Sequence, residues 1–106
     1  MSEIVYHLVG AAEWAVVEAA ALYRPASLEV EGFIHFSTAE QVPGTSLRYY
    51  SDARDLLLVG VAVERLGREL RWEDLVGTGE FPHLYGPLPL RAVVSVVPYT
   101  PGDSVG

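Results

Sequence analysis

Glu31-Gly32-Phe33-Ile34-His35-Phe36-Ser37-Thr38-Ala39-Glu40 joins a short strand to the start of a helix. The aromatic and β-branched residues of Gly32–Phe36 predict the strand. Side chains alternate across a strand, so Phe33, His35 and Ser37 share one face and Ile34 and Phe36 the other. Ser37-Thr38-Ala39-Glu40 has capping-box spacing, a hydroxyl followed three residues later by a carboxylate. It predicts a helix running to Tyr50, its start disturbed by Pro43 and Gly44. A serine there can accept from a helix N–H, and the same helix end offers N–H groups and partial positive charge to an anion. His35 and Ser37 are therefore candidate site residues. A plain role, Ser37 as a cap and His35 as a sheet partner, stays open.

Working outward, Ile4–Val9 is β-branched and aromatic and predicts a first strand. Ala11–Tyr23 is alanine-rich, with Trp14, Val17, Ala21 and Leu22 at helical spacing, and predicts a helix ending before Arg24-Pro25. Ser27–Glu31 reads as a connection. Leu56–Val63 is an apolar run suited to a strand buried on both faces. Leu70–Glu73 predicts a short strand, Thr78–Pro89 a loop, and Arg91–Tyr99 the last strand. The order predicts an α+β fold of two helices on small, curved, mixed or antiparallel sheets. Residues 1–100 are expected to form one domain and 101–106 a flexible tail.

The chain has 106 residues, 50% of them hydrophobic, and no cysteine. Folding at this size hides roughly two-thirds of the unfolded surface, enough for one core. Disulfides and Cys-type zinc sites are excluded. The N-terminus has no basic region ahead of an apolar run, so it does not read as a signal peptide, and the longest apolar stretches are too short to cross a membrane. A cytoplasmic location is the default expectation. The net charge is −7, and all seven basic residues are arginines. Nucleic-acid binding rests on several cations releasing counterions. These arginines are dispersed except for Arg65, Arg68 and Arg71, which read as a solvated turn, so extended nucleic acid is not expected as a partner. A small anionic ligand is compatible with one or two arginines and a helix N-terminus.

Two further segments carry histidine. In Tyr6-His7-Leu8, His7 takes the strand face opposite to Tyr6 and Leu8. In Phe81-Pro82-His83-Leu84-Tyr85-Gly86-Pro87, two prolines and a glycine stiffen the chain around His83 and Tyr85. Stiff loops bearing His and Tyr are common in ligand sites. His7, His35, Ser37, His83 and Tyr85 are expected to converge on one pocket. No HExxH-type spacing occurs, so no metal is assigned. Ser37 lacks the G-x-S-x-G context of a serine nucleophile.

Tyr6-His7-Leu8, Trp14, Tyr23 with Pro25, Ser27-Leu28, the string Glu31–Ser37, Gln41, Leu56–Val59 and Phe81–Leu88 together resemble the bacterial family called domain of unknown function 952, over about residues 3–99. That family is grouped by fold with the ADP-ribosyltransferase superfamily, whose members bind NAD in a cleft between two small sheets. The resemblance implies a transferase of ADP-ribosyl or 2′-phosphate type, with NAD as the expected cofactor. It implies that His7 holds the ribose or pyrophosphate, that His35 and Ser37 line the cleft, and that His83 and Tyr85 close it. His7, Ser37, Tyr85 and Gly86 would contact the nucleotide. Many such enzymes use a glutamate to orient the ribose hydroxyl and stabilise the cationic transition state. Glu73 and Glu80 are the candidates, and the sequence selects neither. A non-catalytic module binding a small anionic metabolite remains the alternative. The oligomeric state is not readable.

Overall fold

The apolar run from Leu56 forms β4 (Leu56–Ala62), the middle strand of a sheet flanked by β1 (Ile4–Gly10) and β8 (Val93–Tyr99). The computed structural model describes residues 3–17, 20–75 and 77–105. Both faces of β4 are covered, which is why its run is continuous rather than alternating. Val59 and Val61 join a core with Val5, Val9, Trp14, Ile34 and Phe36, and Leu56 and Leu58 join a second core with Leu8 and Val42. Complete burial of an aliphatic or aromatic side chain contributes about 1.5–3 kcal/mol.

A second three-stranded sheet has β6 (Phe81–Leu84) between β3 (Ile34–His35) and β5 (Leu70–Glu73). A third pairs β2 (Leu22–Tyr23) with β7 (Leu88–Pro89). Every pairing among the described residues is antiparallel. The two larger sheets meet at one point. Tyr6 and Ser37 exchange backbone hydrogen bonds of 2.8 Å in both directions, and Phe36 N donates to Pro82 O at 3.0 Å. Beyond that junction a cleft opens between them.

Three α-helices are present among the described residues, one more than expected. The first, α1 (Ala11–Ala15), is much shorter than the predicted span to Tyr23, part of which, residues 18–19, lies outside the described residues. Trp14 fills the core, but the chain then turns to put Leu22 and Tyr23 opposite Pro89 and Leu88. Alanine's helix propensity is worth a few tenths of a kcal/mol per residue, and tertiary pairing overrides it. The expected connection at Ser27–Glu31 contains α2 (Ala26–Val30). Gly32, at φ +88°, ends it in the left-handed conformation that glycine adopts without penalty, and its N–H returns to Leu28 O.

The third helix, α3 (Val42–Tyr49), begins later than the capping pattern implied. Ser37 lies in the bridge to β1 and caps nothing, so no helix N-terminus adjoins it. The reciprocal box belongs to Thr38 and Gln41: Thr38 N donates to Gln41 Oε1 at 3.0 Å, and Gln41 N to Thr38 Oγ1 at 3.3 Å. Thr38→Ala is expected to cost about 1 kcal/mol, read as a lower urea midpoint at unchanged slope, whereas exposed Glu40→Ala should leave the midpoint in place.

The expected loop Thr78–Pro89 instead supplies β6 and β7. The segment expected as a flexible tail is attached over residues 101–105: Gly102 N donates to Ser46 Oγ at 2.9 Å and Val105 packs on the second core. Gly106 lies outside the described residues. No helix among the described residues is long and apolar enough to cross a membrane.

Candidate functional site

β1 of one sheet and β3, β5 and β6 of the other line a cleft of about 640 Å³, with α1, α2 and α3 at its sides. His7, His35, Ser37 and His83 all line it, and so does Glu73. This volume lies within the range of small-molecule and cofactor sites.

His7 follows Val5 and Val9 on the inner face of β1 and is buried. Its Nδ1 lies 2.7 Å from the His35 carbonyl, which can only accept, so Nδ1 carries the proton. Burial pushes the His7 pKa down from 6.5 to about 4, so the ring is neutral at pH 7. Its Nε2 is then a bare lone pair and accepts from the Tyr23 hydroxyl at 2.8 Å. Burial also raises the Tyr23 pKa and keeps that proton in place. Both ring nitrogens of His7 are thus occupied. The Tyr23 oxygen, with lone pairs left, is the polar atom this pair offers to the cleft.

The β3–β6 register sets His35 opposite His83, with ring centroids 5.6 Å apart. Each imidazole has a carboxylate of its own. His35 Nε2 donates to Glu31 Oε1 at 2.8 Å, four residues back along the turn that ends α2. His83 Nδ1 donates to Glu73 Oε1 at 3.0 Å, and the Tyr85 hydroxyl donates to the same oxygen at 2.6 Å. The Tyr85 bond first, and the His83 bond second, hold the Glu73 carboxyl below the ordinary carboxylate range. The same bond raises the Tyr85 pKa. Both donors meet on Oε1, which leaves Oε2 for a ligand. Phe33 packs against His83 with centroids 4.3 Å apart and against His35 at 4.8 Å.

The remaining sequence-predicted residues sit differently. Ser37 Oγ is 3.3 Å from Thr45 Oγ1. Tyr85 reaches the cleft through Glu73, and its ring lies 5.2 Å from that of Phe33, while Tyr85 and Gly86 also line a separate hollow of about 430 Å³ beside Arg65 and Arg91. Glu80 is not at the cleft; its carbonyl accepts from Gln41 Nε2 at 2.7 Å. Of the two candidate glutamates, Glu73 is the one inside. Arg65, Arg68 and Arg71 are exposed, and Arg71 lies over the Tyr85 ring at 4.8 Å.

Tyr23 and Glu31 line the cleft without having been singled out from the sequence, and Glu73 was named there only beside Glu80. The i,i+4 spacing of Glu31 and His35 was the available signal for one of them. The charged lining consists of Glu13, Glu31 and Glu73 against Arg48. Among the described residues no three His, Asp or Glu side chains are grouped to hold a metal.

Fold and site together define a small antiparallel α+β protein with an acidic, histidine-lined cleft. The chain belongs to the family described as a protein of unknown function, DUF952, which it matches over residues 8–96. The crystal structure of protein CC0527 from Caulobacter crescentus is 31% identical with a TM-score of 0.84, over 96% of this chain and 93% of that one. The solution NMR structure of CC0527 is 32% identical with a TM-score of 0.79, over 90% and 83% of the two chains. Comparison with curated proteins gives no match.

Proposed function

We propose that the cleft binds NAD and breaks the bond between ribose C1′ and the nicotinamide nitrogen, so that the ADP-ribosyl group passes to a protic acceptor. The observation that carries this reading is the ionised Glu73, fixed by Tyr85 and His83 inside the histidine cleft. Dissociative cleavage at C1′ leaves positive charge on the ribosyl ring. A carboxylate placed beforehand stabilises that charge without reorganising at the moment of reaction. The resemblance of the sequence motifs to a family grouped with the ADP-ribosyltransferases supports the same chemistry.

The lining charge discriminates among ligands. Three carboxylates against one guanidinium suit a ligand that carries or develops positive charge, as the nicotinamide-riboside end of NAD does. Arg48 is the group for its pyrophosphate. The same balance disfavours a purely anionic metabolite, and it disfavours 2′-phosphate transfer, which needs cations around phosphate.

The test is an NMR titration of the three histidine ring signals with NAD, ADP-ribose and Zn²⁺ in separate samples, followed by an assay for released nicotinamide. NAD and ADP-ribose are expected to shift His35 and His83, and His7 through Tyr23, and nicotinamide is expected to accumulate with NAD. Silence towards both nucleotides overturns the reading, and a response to Zn²⁺ alone redirects it to a metal site.

A further inference from the structure

We infer that His35 is the base that removes the proton from the incoming nucleophile, with Glu31 as its positioning partner; this rests on the reading of the cleft as an NAD site. The cleft holds two carboxylate–imidazole pairs, and their surroundings divide the work between them. His83 is 5% exposed, packed against Phe33, with Nδ1–H committed to Glu73. That pair faces the sugar. The His35 side chain is 52% exposed and its partner Glu31 47%. A nucleophile entering from solvent meets His35.

A neutral imidazole whose Nε2–H is given to a carboxylate keeps its lone pair on Nδ1. The carboxylate also fixes the tautomer and stabilises the imidazolium that forms on proton uptake. The local chain supplies this geometry: the left-handed turn at Gly32 brings the last turn of α2 and β3 together, so Glu31 reaches His35. In the step itself the C1′–N bond breaks and its electron pair leaves with nicotinamide. An oxygen lone pair of the nucleophile forms the new C1′–O bond, and its O–H proton goes to His35 Nδ1 and then to solvent. With water as nucleophile the products are ADP-ribose, nicotinamide and one proton.

The experiment measures nicotinamide release from NAD in water for wild type, His35→Ala and Glu31→Gln, each with and without free imidazole, beside NAD affinity from NMR. The expected result is a fall of about 100-fold in kcat for His35→Ala at unchanged NAD affinity, partly restored by imidazole. Glu31→Gln, which keeps a hydrogen-bond acceptor and loses the charge, should show a smaller loss. Turnover of His35→Ala within twofold of wild type overturns the inference, as does a loss that imidazole leaves untouched. Wild type that binds NAD but releases no nicotinamide overturns it while leaving the binding site standing. Wild type that does not bind NAD overturns the underlying reading as well.

Discussion

Glu73→Gln is expected to lower NAD turnover by about 10²–10³-fold while leaving NAD affinity nearly unchanged. Glutamine keeps an oxygen where Glu73 Oε1 accepts from His83 Nδ1 and the Tyr85 hydroxyl, so the positions of those two groups survive. The negative charge does not. Because the Tyr85 and His83 bonds hold the carboxyl below its ordinary range, wild type carries that charge throughout neutral pH. Cleavage moves the positive charge from the pyridinium ring onto the ribosyl ring, where Glu73 favours it more than in the ground state, so the loss should fall mainly on kcat and only slightly on KM. The measurement is steady-state nicotinamide release beside NMR-derived affinity. Weakened binding with kcat preserved would show that Glu73 only anchors the ligand, and full activity would remove it from the chemistry. Glu80→Gln is the matched control, since Glu80 lies outside the cleft.

The sequence made some of this legible for identifiable reasons. Leu56–Ala62 is apolar at every position, a pattern that a strand covered on both faces explains. Around β3 the alternation of Phe33 and His35 with Ile34 and Phe36 separated cleft from core, because a period of two leaves no second choice of face. Failures arose where distant pairing decided the local structure. Leu22 and Tyr23 leave the helical pattern only because Leu88 and Pro89 lie opposite them. β6 lies in Thr78–Pro89, whose glycines and prolines predict a loop, and a proline such as Pro82 is out of place in a central strand. The objection does not bind here: β3 pairs only with His83 and Leu84, so Pro82 sits past the end of β3, where its carbonyl alone is used, by Phe36 N. Without β6 there was no β5–β6 hairpin, and without the hairpin nothing placed Glu73 near His83. Tyr23 was hidden for the same reason, since its approach to His7 spans sixteen residues of sequence and depends on β2.

His7 should make the protein acid-labile in a window of its own. Its pKa is 6.5 in the unfolded chain and about 4 in the fold, because burial penalises the imidazolium. The unfolded state therefore takes up the proton first as pH falls. Stability from this group is intact above pH 6.5 and declines as pH drops through 6.5 towards 4. The loss is about 1 kcal/mol by pH 5.5 and about 3 kcal/mol by pH 4. Glu73, with its lowered pKa, also loses its contribution on acidification, but only below the ordinary carboxylate value of 4.5, so between pH 6.5 and 4.5 His7 alone of the two acts. Urea midpoints at pH 7.5 and 5.5 isolate His7. His7→Gln, which cannot titrate, should lose about 1 kcal/mol less than wild type between those values, and equal losses would show that the buried ring is not the titrating group. The same event reaches the ligand. A proton on Nε2 turns that nitrogen into a donor, so the Tyr23 hydroxyl must swing its hydrogen away and accept with its oxygen. The Tyr23 oxygen then offers the cleft one lone pair fewer, but the folded ring takes that proton only near pH 4, so NAD affinity should hold while stability falls between pH 6.5 and 5 and weaken only as the pH nears 4. His7 thus acts on the cleft as the lock on Tyr23, a role that needs the neutral ring and explains why it is buried in the row of Val5 and Val9 and not displayed to solvent as His35 is.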